Sequence, residues 1–179
     1  MGGGVAKGRR RCAHARKTRA LEAHRNAAPH AIAAGTRAAN GAAMSKAIPT
    51  IQKFMTTAPH SIGADQTLAH AHAVLREHKI RHLPVLVGGK LVGMVTDRDL
   101  RFVETLRDVD PTKVTVEDAM VTDVYAVSPE ASLDEVVSEM AQHKYGSVVV
   151  MQNEKVVGIF TTVDVCRAFA ELLQTRLSH

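Results

Sequence analysis

Residues 55–102 recur at 120–167 with a constant offset of 65 and no gap. Eleven of the 48 aligned positions are identical, among them Met55/Met120, Leu68/Leu133, Lys79/Lys144, Gly93/Gly158, Thr96/Thr161 and Asp99/Asp164. Apolar character also persists at Ile62/Val127, Leu75/Met140, Leu83/Val148 and Leu100/Val165. Shared apolar periodicity alone would not preserve Gly, Thr and Asp, so duplication is the better explanation. The chain must therefore fold as two copies of one supersecondary unit, each needing the other to cover its apolar face.

Within a copy the order of elements can be read from spacing. Thr67 and Ser132 are N-cap candidates, and Ser132 with Glu135 makes a capping-box pattern. Leu68, Ala71, His72 and Leu75 then follow at helical spacing, as do Leu133, Val136, Val137 and Met140. Two apolar runs come next, 83–87 and 91–95, turning at Gly88-Gly89; their counterparts, 148–151 and 156–160, turn at Asn153-Glu154. A short extended piece, Ser61-Ile62 or Ala126-Val127, precedes each first helix, and a second helix starts near Thr96 or Thr161. The unit is β-α-β-β-α. The expected fold is mixed α/β (α+β), with two units packed sheet against sheet as a pseudo-twofold pair. Residues 48–110 form the first unit and 111–179 the second, joined by a polar connector at 107–116 containing Asp110-Pro111.

Charge separates the remainder. Residues 1–46 carry ten Lys or Arg against one acid, Glu22, whereas 47–179 carry thirteen against seventeen. The basic pI thus belongs to a tail, residues 1–47, that is Ala-, Arg- and His-rich and holds too few large apolar residues to bury a face. Disorder is the expectation for it. An over-called start with translation from Met44, or an organelle transit peptide, are the other readings, the latter opposed by the absence of Ser before Ser45. Its Arg9-Arg10-Arg11 run could hold nucleic acid by charge, but no aromatic residue is interleaved for stacking, and that reading ranks below a solvated tail.

Cys12 and Cys166 are far apart, which argues against a disulfide framework and for a reducing, cytoplasmic setting. No run nears the roughly 18 apolar residues of a membrane span. Histidines at 60, 70, 72, 78 and 82 show no metal-ligand spacing; His70 and His72 fall on different helix faces. Nucleophile elbow, Walker and zinc patterns are all missing, so no metal, no required cofactor and no catalytic residue is expected.

Met55-Thr56, Ile80-Arg81-His82-Leu83-Pro84-Val85 and Gly93-Met94-Val95-Thr96-Asp97-Arg98-Asp99-Leu100 resemble the cystathionine-β-synthase (CBS) domain motif. So do Asp118-Ala119-Met120 and Gly158-Ile159-Phe160-Thr161-Thr162-Val163-Asp164. The resemblance spans residues 48–175 and rests on the order of the pieces in two copies. It implies a CBS pair, or Bateman module. Such pairs commonly take adenosine-containing ligands in clefts between the repeats, and many dimerise into discs.

The shared Gly-x-x-Thr-x-x-Asp element is a strand entering a helix. Glycine leaves the backbone open to a ligand, and a carboxylate can accept both hydroxyls of a ribose. Hydrogen bonds to such a charged group contribute about 1.5–3 kcal/mol. The resemblance places ribose on the Asp, and ribose or phosphate on the Thr. Thr-x-x-Asp is equally close to a capping box, which needs no ligand. Candidate site one comprises Thr96, Asp99 and Arg98 with Ser61, Ile62, His82, Leu83 and Pro84. Candidate site two comprises Thr161 and Asp164 with Ala126, Val127, Gly146, Ser147 and Val148. Only site one carries a cation in the motif, Arg98, so it is expected to favour phosphate, unless Arg98 is a solvated surface charge.

The resulting expectation is a regulatory, non-enzymatic ligand sensor. It would bind AMP, ADP, ATP or S-adenosylmethionine and signal through a homodimer or a regulated partner protein, with no membrane contact. A ligand-free scaffold, or a nucleic-acid binder acting through its tail, are the alternatives.

Overall fold

The computed structural model describes residues 48–106 and 109–177. The tail readings, and the connector residues Arg107 and Asp108, lie outside them. In the first copy, strand β2 (Ile62–Gly63) leads to helix α1 (Leu68–Glu77), hairpin β3 (His82–Val87) and β4 (Lys90–Thr96), and helix α2 (Asp97–Glu104). In the second, β5 (Ala126–Val127) leads to α3 (Leu133–His143), β6 (Ser147–Gln152), β7 (Lys155–Thr161) and α4 (Thr162–Leu177). A two-residue strand, β1 (Thr56–Thr57), precedes them all.

Local chemistry explains these boundaries. The Thr67 side chain accepts from His70 N at 3.2 Å, capping α1. Ser132 does not cap α3: its hydroxyl donates to the Asp134 carboxylate, so the capping box expected with Glu135 does not form. A carboxylate two residues on is nearer to that hydroxyl and competes successfully for it. Lys79 and Lys144, identical in the two copies, both turn the chain out of a helix at positive φ (53° and 59°). The hairpin turns also agree: Gly88-Gly89 lie at φ 57° and 81°, and Asn153-Glu154 at 51° and 60°, as a type I′ turn requires.

Each hairpin pairs in parallel with its short leading strand, Ile62 opposite Val85 and Ala126 opposite Val149. Both hairpins carry the same irregularity, between Val85/Leu86 and Val150/Met151. The leading segments then cross over. Strand β1 of the first copy pairs with β7 of the second, Thr56 opposite Ile159. Reciprocally, Val121 joins β4, with Met94 N to Val121 O at 2.8 Å and Val121 N to Met94 O at 2.9 Å.

The cores follow the exchange. Leu68, Leu75, Leu83, Val85, Val95 and Leu100 pack together with Val116. Leu133, Val136, Met140, Val148, Val150 and Phe160 pack with Ile51, from ahead of the first copy. A third cluster, Met94, Ala126, Val149 and Ile159, joins the two sheets. Val148, Val149 and Val150 are all fully buried because β6 is covered by helices on one face and by the partner sheet on the other. The two units therefore share one interior, and the line where their sheets meet positions the candidate site.

Candidate ligand cleft between the two repeats

Thr96 ends β4 and caps α2. Its hydroxyl accepts from Asp99 N at 3.3 Å and donates to Asp99 Oδ2 at 2.6 Å, while Thr96 N donates to the same oxygen at 3.0 Å. The capping box is thus complete. It uses one carboxylate oxygen; Asp99 Oδ1 takes no hydrogen bond from the described residues. In the second copy, Asp164 Oδ2 accepts from Thr161 N at 2.8 Å and Thr161 Oγ1 at 2.7 Å. There the other oxygen is taken: Asp164 Oδ1 receives Arg167 Nη1 at 3.0 Å, and Asp164 is only 4% exposed. The position equivalent to Arg167 in the first copy is Phe102, which offers no donor.

Asp99 faces a cleft of about 150 Å³. From the first copy it is lined by His82, Met94, Thr96 and Asp99. From the second it is lined by Val121, Asp123, Val124 and Tyr125, and by Tyr145, Gly146 and Ser147. Residues assigned by sequence to two separate sites therefore meet in one: His82, Thr96 and Asp99 of site one with Gly146 and Ser147 of site two. Gly146 makes room for His82, since a Cβ there would sit 3.3 Å from His82 Nε2.

The remaining expected residues lie elsewhere. Ile62, Leu83, Ala126 and Val148 belong to the core, Pro84 is buried beside them, and Val127 packs against the core half-buried. Ser61 and Arg98 are exposed and do not line the cleft. Thr161 and Asp164 do not line it either. The two motif glycines have a different role from the one expected. A Cβ at Gly93 would lie 2.7 Å from Met120 Sδ and 2.9 Å from the Val121 carbonyl oxygen, and one at Gly158 would collide with Met55. Each glycine admits a methionine from the leading segment of the other copy, so the space read as ligand access is filled by protein.

Tyr125 and Tyr145 were not singled out by the sequence, although they are the only tyrosines in an aromatic-poor chain. Their rings stack at 5.3 Å, and His143 continues the stack onto Tyr145 at 5.4 Å. Burial raises the Tyr125 pKa, with help from Glu139, Glu135 and Tyr145, so the residue stays a neutral phenol. His82 shifts downward, first through burial and then through Arg81, against an opposing pull from Asp99. That shift favours the neutral imidazole. A broader, open depression along α1 and α2 holds His72, Arg76, Lys79, Arg101, Asp97 and Glu104. There Arg101 Nε meets Asp97 Oδ2 at 2.9 Å, while His72 Nε2 lies 3.0 Å from Glu104 Oε1 without hydrogen-bond alignment. Apart from His72, whose Nε2 is buried, it is a solvent-facing surface of mixed charge. Among the described residues no three His, Cys, Asp or Glu side chains gather as a metal site, and no helix is long and apolar enough to cross a membrane.

The crossed repeats and the cleft between them define a paired-motif fold. The CBS domain family model matches residues 51–104 and 116–171, and the chain belongs to that family as a CBS pair. It is 33% identical over 123 residues to an inosine-5′-monophosphate dehydrogenase of Korarchaeum cryptofilum, covering 68% of this chain but only 25% of that enzyme. Among solved structures it is similar to a putative acetoin utilization protein (AcuB) from Vibrio cholerae, with a TM-score of 0.67, 29% identity and coverage of 74% of this chain and 98% of that one. It is similar also to the CBS domain pair of protein MJ0100 in complex with 5′-methylthioadenosine and S-adenosyl-L-methionine, with a TM-score of 0.64, 27% identity and coverage of 70% and 98%.

Proposed function

We propose that this CBS pair is a regulatory sensor that binds one adenosine-containing ligand in the cleft between its repeats. The observation that carries the reading is Asp99 Oδ1, a carboxylate oxygen that takes no hydrogen bond from the described residues while its twin completes the helix cap. A ribose hydroxyl would satisfy it, and Tyr125, at the end of the Tyr125–Tyr145–His143 stack, offers an aromatic surface in the cleft for a purine. The likeness to a pair holding S-adenosyl-L-methionine and 5′-methylthioadenosine supports the ligand class. At about 150 Å³ the cleft is smaller than the roughly 300 Å³ at which small-molecule sites begin, so binding would widen the gap between the repeats. That movement would be the signal, because a ligand shifts an equilibrium by its differential affinity for two arrangements.

Transmission would run through the helices that end each copy. Phe102 and Leu106, on and just beyond α2, and Phe169, Leu172 and Leu173 on α4 are large apolar side chains left in solvent, with Phe102 67% and Phe169 60% exposed. Apolar surface of this kind supports a homodimer or partner contact. No catalytic function is assigned, and a cytoplasmic setting is consistent with the exposed free thiol of Cys166. A second reading, a ligand-free scaffold, is favoured by one observation: the Thr96 and Asp99 side chains and backbone already complete a capping box with each other. A thermal-shift panel of AMP, ADP, ATP, S-adenosylmethionine and NADH separates the two. The sensor reading predicts a shift with at least one adenosine compound that Asp99→Ala removes.

A further inference from the structure

The charge of the cleft narrows the ligand further, on the premise that the cleft is an adenosine site. Its acidic lining residues are Asp99 and Asp123. Among the described residues that line it there is no Lys or Arg, and burial, with Arg81, shifts its one histidine, His82, toward the neutral form. A 5′-phosphate would enter with about two negative charges and meet like charge with no counter-cation in the lining; Arg81, whose charge acts on His82, lies outside it.

The helix N-terminus beside the cleft gives little relief. Oxyanions bind such ends through free N–H groups. Here Thr96 N donates to Asp99 Oδ2, Asp97 N to Arg81 O at 3.2 Å, and Asp99 N to Thr96 Oγ1. Three consecutive-turn donors are committed to protein, which leaves Arg98 N of that group. The Arg98 side chain is exposed and outside the lining. A sulfonium or ammonium group, in contrast, would find two carboxylates and the cleft-lining ring of Tyr125.

We propose that the cleft selects purine nucleosides whose 5′ substituent is uncharged or cationic and discriminates against 5′-phosphates, with Asp123 contributing to the discrimination alongside Asp99. This reverses the preference that the motif-borne Arg98 suggested from sequence. Asp123 is exposed, so its share is modest and falls with added salt.

Isothermal titration of the full chain with S-adenosylmethionine, 5′-methylthioadenosine and AMP tests this directly, because the three share adenosine and differ in charge at the 5′ side. The expected order of affinity is S-adenosylmethionine, then 5′-methylthioadenosine, then AMP. Asp123→Asn should narrow the gap between the first and last roughly fivefold, the scale of one exposed charge pair. Asp123→Lys should narrow it further, with the uncharged ligand nearly unaffected as the control for an intact cleft. AMP binding more tightly than 5′-methylthioadenosine to the wild-type chain would overturn the proposal, all the more if Arg98→Ala removed that advantage. Binding by none of the three would overturn the adenosine reading itself and this inference with it.

Discussion

Asp164 Oδ1 is bridged by Arg167 Nη1 at 3.0 Å, whereas the equivalent oxygen of Asp99 carries no such partner. Two residues matched by duplication have therefore diverged in role: Asp164 is a sealed structural cap, and Asp99 is a cap with one acceptor to spare.

Asp164→Ala should be mainly a stability mutant. It removes a buried acceptor of three hydrogen bonds, and its cost should be about 1–3 kcal/mol in denaturant unfolding. Arg167→Ala should cost less, because the guanidinium is 73% exposed and regains water. Equal costs for the two would show that the cap itself contributes little.

Gly93→Ala and Gly158→Ala should each destabilise by about 1–3 kcal/mol through overpacking. The second change should be relieved in part by Met55→Ala, since the three nearest atoms there all belong to that flexible side chain. The first should resist rescue by Met120→Ala, because the Val121 carbonyl oxygen at 2.9 Å is backbone. A double-mutant cycle reads the difference as unequal coupling energies.

Glu154→Gly should stabilise the second hairpin. Glu154 sits at φ 60°, a conformation that costs a side-chain-bearing residue about 1–2 kcal/mol, offset in part by the chain entropy of glycine. A net gain of about 0.5–1 kcal/mol is expected. Its ion pair with Lys90, 3.7 Å apart and largely exposed, contributes little to lose. The converse change, Gly89→Glu, should lower the unfolding midpoint.

Acid should weaken the fold partly through His82. Its folded pKa lies below the ordinary 6.5, so on acidification the unfolded chain takes up the proton first. The contribution is fully present above pH 6.5 and is lost as pH falls through the folded value. Unfolding midpoints measured from pH 7.5 to 5 should decline, and His82→Gln should flatten part of that decline. An unchanged slope would remove His82 from the account.

Much of the fold was legible because duplication marks equivalent positions. The hairpins turn where Gly88-Gly89 and Asn153-Glu154 fall, and the helices begin after Thr67 and Ser132. What duplication cannot mark is where two copies touch. The exchange that seats Ile51 in the second core and Val116 in the first depends on packing between units, and neither residue has a periodic signature of it. For the same reason His82 and Gly146 were separated in sequence and meet in the cleft. Thr96 and Asp99 were legible as candidates, but their local pattern is shared by a cap and a ligand contact. Only the uncommitted Oδ1 favours the second. Tyr125 and Tyr145 were detectable in principle, as a scarce residue type placed just before β5 and β6.

The most direct test is a titration of an adenosine ligand, with S-adenosylmethionine as first choice, into wild type, Asp99→Asn and Asp164→Asn, with folding of each verified by circular dichroism. The account predicts one site per chain in wild type, retained in Asp164→Asn and lost in a folded Asp99→Asn. Binding that survives in Asp99→Asn and disappears in Asp164→Asn would contradict it.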